Sequence, residues 1–189
     1  IRESKKICKY FDIPLQHISP KILEKMNRPV LDYRKLIEKI RNKIPSAAIR
    51  TNFIVGFPGE EESDFSELVK FIEDMKIDRV GFFKYSREKG TPAYSFKGHI
   101  KEKEKNKRLA ILIEIQEKVS KENLKKYVGE KLKILIKKNE KGYFIGRTEY
   151  DAPEIDGVVY IKGYNLKLGN FYFLKITSSD IHDLYCFKN

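Results

Sequence analysis

The hydrophobic period of this chain changes once, near residue 126, from a mixture of helical and strand patterns to a strict period of two. One hydrophobic layer cannot serve both patterns, so the sequence predicts two domains. Residues 1–126 read as α/β and residues 127–189 as all-β. A chain of 189 residues can form a medium and a small domain, and its 41% hydrophobic content is enough to bury cores.

Within the first part, 8–15 (CKYFDIPL) reads as a buried strand stopped by Pro14. Ser19-Pro20 caps and opens a short helix over 21–26. Asp32 then caps a helix whose apolar stripe is Tyr33, Leu36, Ile37, Ile40 and Ile44. A second strand spans 48–56 (AIRTNFIVG) and runs into the turn Phe57-Pro58-Gly59-Glu60. The next helix buries Phe65, Leu68, Val69, Ile72 and Met75, and a third strand covers 78–85. Strand-helix alternation of this kind predicts parallel pairing with right-handed crossovers. A long helix over 101–126 follows a Gly/Pro-containing loop. Beyond it, 131–137, 143–147, 158–161, 171–176 and 184–187 read as five short antiparallel strands, a small oligonucleotide-binding-like barrel, with 178–180 as one of the turns.

The net charge is +12, but it is spread unevenly. Lys plus Arg against Asp plus Glu count 20 to 14 over 1–100, 9 to 5 over 101–126 and 10 to 8 over 127–189. An autonomous RNA-binding module in the last segment should concentrate positive charge there, which it does not. The Lys-Glu alternation of 101–108 reads as a solvated helix start. No apolar run is long enough to cross a bilayer, and the charged first turn does not resemble a secretory leader. The chain opens at Ile1 inside a charged stretch, as a fragment of a longer one would. Cys8 and Cys186 make neither a disulfide framework nor a metal site, and a reducing, cytoplasmic setting is expected.

Polar and glycine-rich groups gather at the strand C-terminal ends: Gln16 and His17, Gly56–Glu60, and Tyr85–Arg87. Ligands of parallel α/β sheets bind at that edge. Gly56 and Gly59 permit close backbone approach, and Phe57 could lie against a planar ligand; FPGE is equally an ordinary strand-to-helix turn. Neither a dinucleotide nor a triphosphate loop is present. His99 and His182 read as solvated. Residues 151–157 (DAPEIDG) form either a plain hairpin loop or a partner-docking one.

The blocks IPLQH (13–17), KMNRP (25–29), RTNFIVGFPGE (50–60), DRVGFFKYS (78–86) and KGTPA (89–93) resemble the radical S-adenosylmethionine methylthiotransferases over nearly the whole chain. IPLQH, GRTEYDAPEIDGVVYI (146–161) and the terminal DLY resemble the sub-family that modifies an aspartate of small-subunit ribosomal protein twelve. The resemblance implies that 1–126 is the last three strand-helix units of a partial (β/α)6 barrel with its closing helix. It implies that 127–189 is a TRAM domain. The implied cofactors are S-adenosylmethionine and two [4Fe–4S] clusters in the full-length enzyme, none ligated by this chain, which alone would be inactive.

The same resemblance places S-adenosylmethionine across the strand ends. Gln16 and His17 would face its ribose or methionyl side, and Asn52, Ile54, Gly56 and Phe57 would line the adenine. Backbone groups of Phe83, Lys84 and Tyr85 would read the adenine edge. Asn52 stands where the superfamily pattern has its first glycine, and Glu60 falls one place late, so Glu60 is expected to start a helix. Asp151, Glu154 and Asp156 would dock the basic ribosomal protein by complementarity. The implied partner is that protein, bound by a monomer, with no membrane. A tRNA-modifying enzyme of the same family is the nearest alternative, and a non-catalytic RNA-binding adaptor is the reading from another class.

Overall fold

In the computed structural model, which describes residues 2–4 and 6–188, the chain forms β1 (Tyr10–Asp12), α1 (Pro20–Lys25), α2 (Tyr33–Lys43), β2 (Ala48–Val55), α3 (Glu62–Met75), β3 (Arg79–Lys84), α4 (Glu102–Lys125), β4 (Lys131–Glu140), β5 (Tyr143–Arg147), β6 (Val159–Lys162), β7 (Phe171–Lys175), β8 (Ser178–Ser179) and β9 (Leu184–Phe187). Two compact units result. One holds residues 12–45 and 49–116; the other holds 117–189 with 46–48 and part of the first eleven residues.

β1, β2 and β3 form one sheet in that order, and the first unit is organised by β2 and β3, which run parallel from Arg50 opposite Arg79 to Val55 opposite Lys84. Alternation decides which face is covered. Ile49, Phe53 and Val55 point into a core with Ile37 of α2, Leu68, Phe71 and Ile72 of α3 and Leu112 of α4. Phe53 meets Phe71 edge-on with ring centroids 6.0 Å apart. The intervening Arg50, Asn52 and Ile54 lie on the opposite face and are half-buried. The first strand is shorter than the sequence pattern suggests. Pro14 has no N–H for the ladder, and regular pairing resumes only at Gln16, whose N–H donates to the Asn52 carbonyl at 2.8 Å and whose carbonyl accepts from Ile54 N–H at 2.8 Å.

Helix starts follow the expected chemistry, with one exception. The Asp32 carboxylate accepts from Lys35 N–H at 3.1 Å and caps α2. Asp64, in the first turn of α3, accepts from Glu61 N–H at 2.8 Å. Ser19 occupies the N-cap position of α1 but makes no side-chain cap; its hydroxyl donates to Asp64 at 2.7 Å instead.

The second unit is a six-stranded mixed sheet of order β7-β4-β5-β6-β9-β8, not five antiparallel strands. β6 and β9 pair in parallel, Val159 opposite Leu184. Parallel neighbours need a long crossover, and the stretch between them, which carries β7 and β8, is one. Ser178 and Ser179, expected as a turn, pair with Tyr185 and Leu184. A bulge between Ile136 and Lys138 bends β4. Ile134, Ile136, Val159, Ile161, Leu174, Ile176, Leu184 and Cys186 fill the core, with Leu124 of α4.

Phe53→Ala should therefore cost about 3–5 kcal/mol of stability, because it empties a fully buried site. Urea unfolding followed by circular dichroism would measure it; a loss below about 1 kcal/mol would place the core elsewhere.

Candidate functional site

The loops at the ends of β1 and β2 converge on one carboxylate, that of Glu60. Its Oε2 accepts from Gly56 N–H at 2.8 Å, and its Oε1 pairs with Arg108 Nη1 of α4 at 2.6 Å. Nε2 of His17 lies 3.7 Å from the same Oε2. Burial alone would push this carboxyl up; contact with His17, the Arg108 ion pair and the Gly56 N–H outweigh it and hold it below the ordinary glutamate range. Glu60 does not start α3, since the N-cap is Glu61. It closes the FPGE turn on itself and anchors it to α4.

His17 is fully buried, and its Nδ1 accepts from Ser19 N–H at 3.0 Å. That bond leaves the ring proton of the neutral imidazole on Nε2, facing Glu60. His17 N–H bonds the Leu15 carbonyl at 2.9 Å across Gln16, which takes φ +69°. The tight turn puts Gln16 and His17 on different paths: Gln16 is half-buried at the strand end, whereas His17 serves the Glu60 network.

Asn52, Ile54 and Phe83 share the sheet face that the helices leave uncovered. Asn52 is opposite Gly81, and Ile54 opposite Phe83. The Asn52 Oδ1 is buried and has no hydrogen-bond partner among the described residues. It occupies the space a side chain at Gly81 would need, since a Cβ there would stand 2.4 Å from it. Phe83 is 56% exposed beside it. An orphaned acceptor next to an open aromatic ring fits a planar group that carries an N–H donor. Lys84 belongs to the other face, where Nζ binds Glu102 and, at 2.7 Å, Asn106.

Phe57 is not offered to a ligand. It is buried, with edge contacts to Tyr85 at 5.1 Å and Phe96 at 6.2 Å. Tyr85 stacks on His99 at 6.0 Å, so His99 is half-buried against a ring, and the Tyr85 hydroxyl is buried without a hydrogen-bond partner among the described residues. The Tyr85 carbonyl accepts from Lys105 Nζ at 2.8 Å. Gly56 takes φ +76°, and a Cβ there would come 2.4 Å from Lys105 Cγ. Glycine is required by both conformation and space, so a substitution at Gly56 disturbs the loop itself.

In the second unit, two of the three acids expected to dock a partner are engaged in holding their own loop. Asp151 is buried and accepts from the Thr148 hydroxyl at 2.6 Å and Thr148 N–H at 3.2 Å. Asp156 accepts from the Tyr10 hydroxyl at 2.6 Å and Ala152 N–H at 2.8 Å. Glu154 is exposed, at φ +65°, and stands 3.6 Å from Lys137 Nζ.

Arg108 and Lys105 are the functional-site residues the sequence reading passed over. Both are buried, although they lie in the run read as solvated. Their positions, with Leu112 and Gln116, follow the i, i+3, i+7 and i+11 spacing of one helix stripe, and that was the available signal.

Arg108→Ala should destabilise the protein by about 3–5 kcal/mol, because it leaves Glu60 buried without its cation. The folded pKa of Glu60 lies below its unfolded value, so its contribution is complete above about pH 4.3 and is lost as pH falls through the folded value. Urea midpoints between pH 7 and pH 3 should show this acid limb, and Glu60→Gln should flatten it. An unchanged limb would contradict the hub role.

The sequence matches the Radical SAM superfamily over residues 1–72 and the TRAM domain over residues 128–186. Similar relatives carry the name ribosomal protein uS12 methylthiotransferase RimO. That of Alkaliphilus oremlandii is 50% identical over 165 residues, covering 85% of this chain and 38% of the relative. The proteins of Carboxydothermus hydrogenoformans and Thermosipho africanus are each 45% identical, over 97% and 95% of this chain and 43% and 42% of theirs. The chain thus spans about two-fifths of the length of these relatives. The chain is thus similar to the Radical SAM superfamily in its first part, to the TRAM domain in its last and to these methylthiotransferases across nearly all of its own length.

Proposed function

We propose that this chain is part of a methylthiotransferase that modifies an aspartate of ribosomal protein uS12. In this reading residues 1–126 supply three strand-helix units of the barrel and residues 127–189 the TRAM domain. The observation that carries it is the uncovered sheet face, where the orphaned Asn52 Oδ1 and the exposed Phe83 await a planar, hydrogen-bonding group. Parallel sheets bury both faces, so an uncovered one calls for further chain or a ligand.

S-adenosylmethionine fits those residues: Asn52 would accept from the adenine amino group, and Phe83 and Ile54 would pack against the ring. The orphaned Tyr85 hydroxyl lies at the end of the third strand and offers a second polar contact. Gln16, whose backbone is taken up by β2, would face the ribose or methionyl side with its half-buried side chain. His17, Gly56 and Phe57 act indirectly, by shaping the loop that Glu60 holds. The cofactor and the two [4Fe–4S] clusters of the full-length enzyme would supply radical generation and the sulfur. The cluster ligands would come from the part of the longer protein that this chain does not include. The chain's own task is to bind and orient. Glu154, exposed in the 151–157 loop with only a long surface ion pair to Lys137, is the acid that would meet the basic ribosomal protein, with Asp151 and Asp156 fixing the loop. The protein would act as a cytoplasmic monomer; no helix among the described residues is long and apolar enough to cross a membrane.

The test is the reconstituted full-length protein assayed by mass spectrometry on uS12 and on a tRNA anticodon stem-loop. Methylthiolation of uS12 alone is expected, and Asn52→Ala should raise the KM for S-adenosylmethionine about tenfold with a smaller effect on kcat. Modification of the stem-loop and not of uS12 would overturn the substrate. An unchanged KM would overturn the cofactor placement.

A further inference from the structure

The clamp around Glu60 does not account for Lys105. A lysine near the start of a helix ordinarily runs its stem along the surface and keeps its ammonium in water. Lys105 is instead buried, at 8% exposure. Its stem lies over Gly56, where a Cβ would meet Lys105 Cγ at 2.4 Å and Cδ at 3.0 Å. Its ammonium turns inward: Nζ donates to the Tyr85 carbonyl at 2.8 Å and lies 5.4 Å from the centre of the Tyr85 ring. The carboxylate it pairs with, Glu102, is further away at 3.5 Å, exposed, and shared with Lys84.

Folding does not favour this arrangement. Burying an ammonium is costly, and a cation in the first turn of α4 opposes the helix dipole. An apolar side chain of the same length would cover Gly56 equally well. What the ammonium adds is its hold on Tyr85. The Tyr85 N–H donates to the Val55 carbonyl at 2.9 Å, so with Lys105 on its carbonyl both backbone groups of this residue are fixed. The ring meets Phe57 edge-on and stacks on His99. Tyr85 is thus gripped from β2, from the FPGE turn, from the loop over 86–100 and from α4, two positions beyond Phe83. A buried tyrosine that only packs still pairs its hydroxyl. A ring held this firmly with its hydroxyl unpartnered among the described residues is held for position.

We propose that Lys105 is a positioning residue for S-adenosylmethionine: it pins Tyr85 at the end of β3, and through Tyr85 it sets the rim against which the cofactor seats. The inference rests on the cofactor placement proposed above and deepens it, since Lys105 acts on the ligand only through another residue. Arg108, one turn further along α4, holds the end of β2 through Glu60 and Gly56. Two cations of one helix stripe therefore fix the two strand ends separately, Arg108 for β2 and Lys105 for β3.

The test is calorimetric titration of S-adenosylmethionine into the reconstituted full-length protein, with melting temperatures recorded alongside. Lys105→Met keeps a stem over Gly56 and loses the ammonium. It should weaken binding about tenfold, the share of a charged hydrogen bond, while melting no lower than the parent, because an apolar replacement removes a buried charge. Tyr85→Leu should weaken binding too, and adding Lys105→Met to it should cost less than about twofold more, since the two residues act as one unit. Asn52→Ala is the control for the placement itself: affinity equal to the parent's there would overturn the placement, and this proposal with it. Weakened binding in Asn52→Ala with parental binding in Lys105→Met would overturn the positioning role alone. So would a Lys105→Met protein that melts well below the parent, or a full tenfold loss on adding Lys105→Met to Tyr85→Leu.

Discussion

The first unit depends on a buried carboxylate paired with a buried guanidinium, Glu60 with Arg108. An isolated charge in that position would be too costly to keep, so each group is there because of the other. The carboxylate also takes the Gly56 N–H and faces His17, and so ties the end of β2, the turn after β1 and α4 to one point. Three segments distant in sequence are fixed at the sheet edge by one residue. The loop can then afford glycines at 56 and 59, each at positive φ, because its shape is held by the carboxylate and not by its own stiffness.

This clamp separates two kinds of residue at the strand ends. His17, Gly56, Phe57 and Glu60 are committed to one another and to α4, whereas Asn52, Ile54 and Phe83 are left on the uncovered face with polar and apolar capacity unspent. Binding should therefore be sensitive to small changes on the open face, and folding to changes in the clamp. A similar division runs through the second unit, where Asp151 and Asp156 hold a loop and Glu154 projects from it.

Local patterns were legible where one physical cause dominated. Asp32 announced α2 because a short acid before an apolar stripe has few other uses, and 48–56 announced β2 through its run of β-branched and aromatic residues. The parallel pairing of β6 with β9 was not legible, since period-two alternation gives the faces of a strand but not its neighbours. Ser19 looks like a cap from sequence because the competing acceptor, Asp64, is far along the chain. For the same reason the Lys-Glu alternation of 101–108 concealed two buried cations: Glu60, which makes burial of Arg108 tolerable, is 48 positions away. In the candidate site, the strand-end location could be read from sequence. Which residues face a ligand and which face each other required the register.

The central claim is that Asn52 is held on the open face as a ligand contact. Calorimetric titration of S-adenosylmethionine into the reconstituted full-length protein, comparing the parent with Gly81→Ala, tests it most directly. The added methyl group would stand where Asn52 Oδ1 now lies and must push it aside, without touching the Glu60 clamp. The account predicts clearly weaker binding with an unchanged melting temperature. Equal affinity in the two proteins would contradict it.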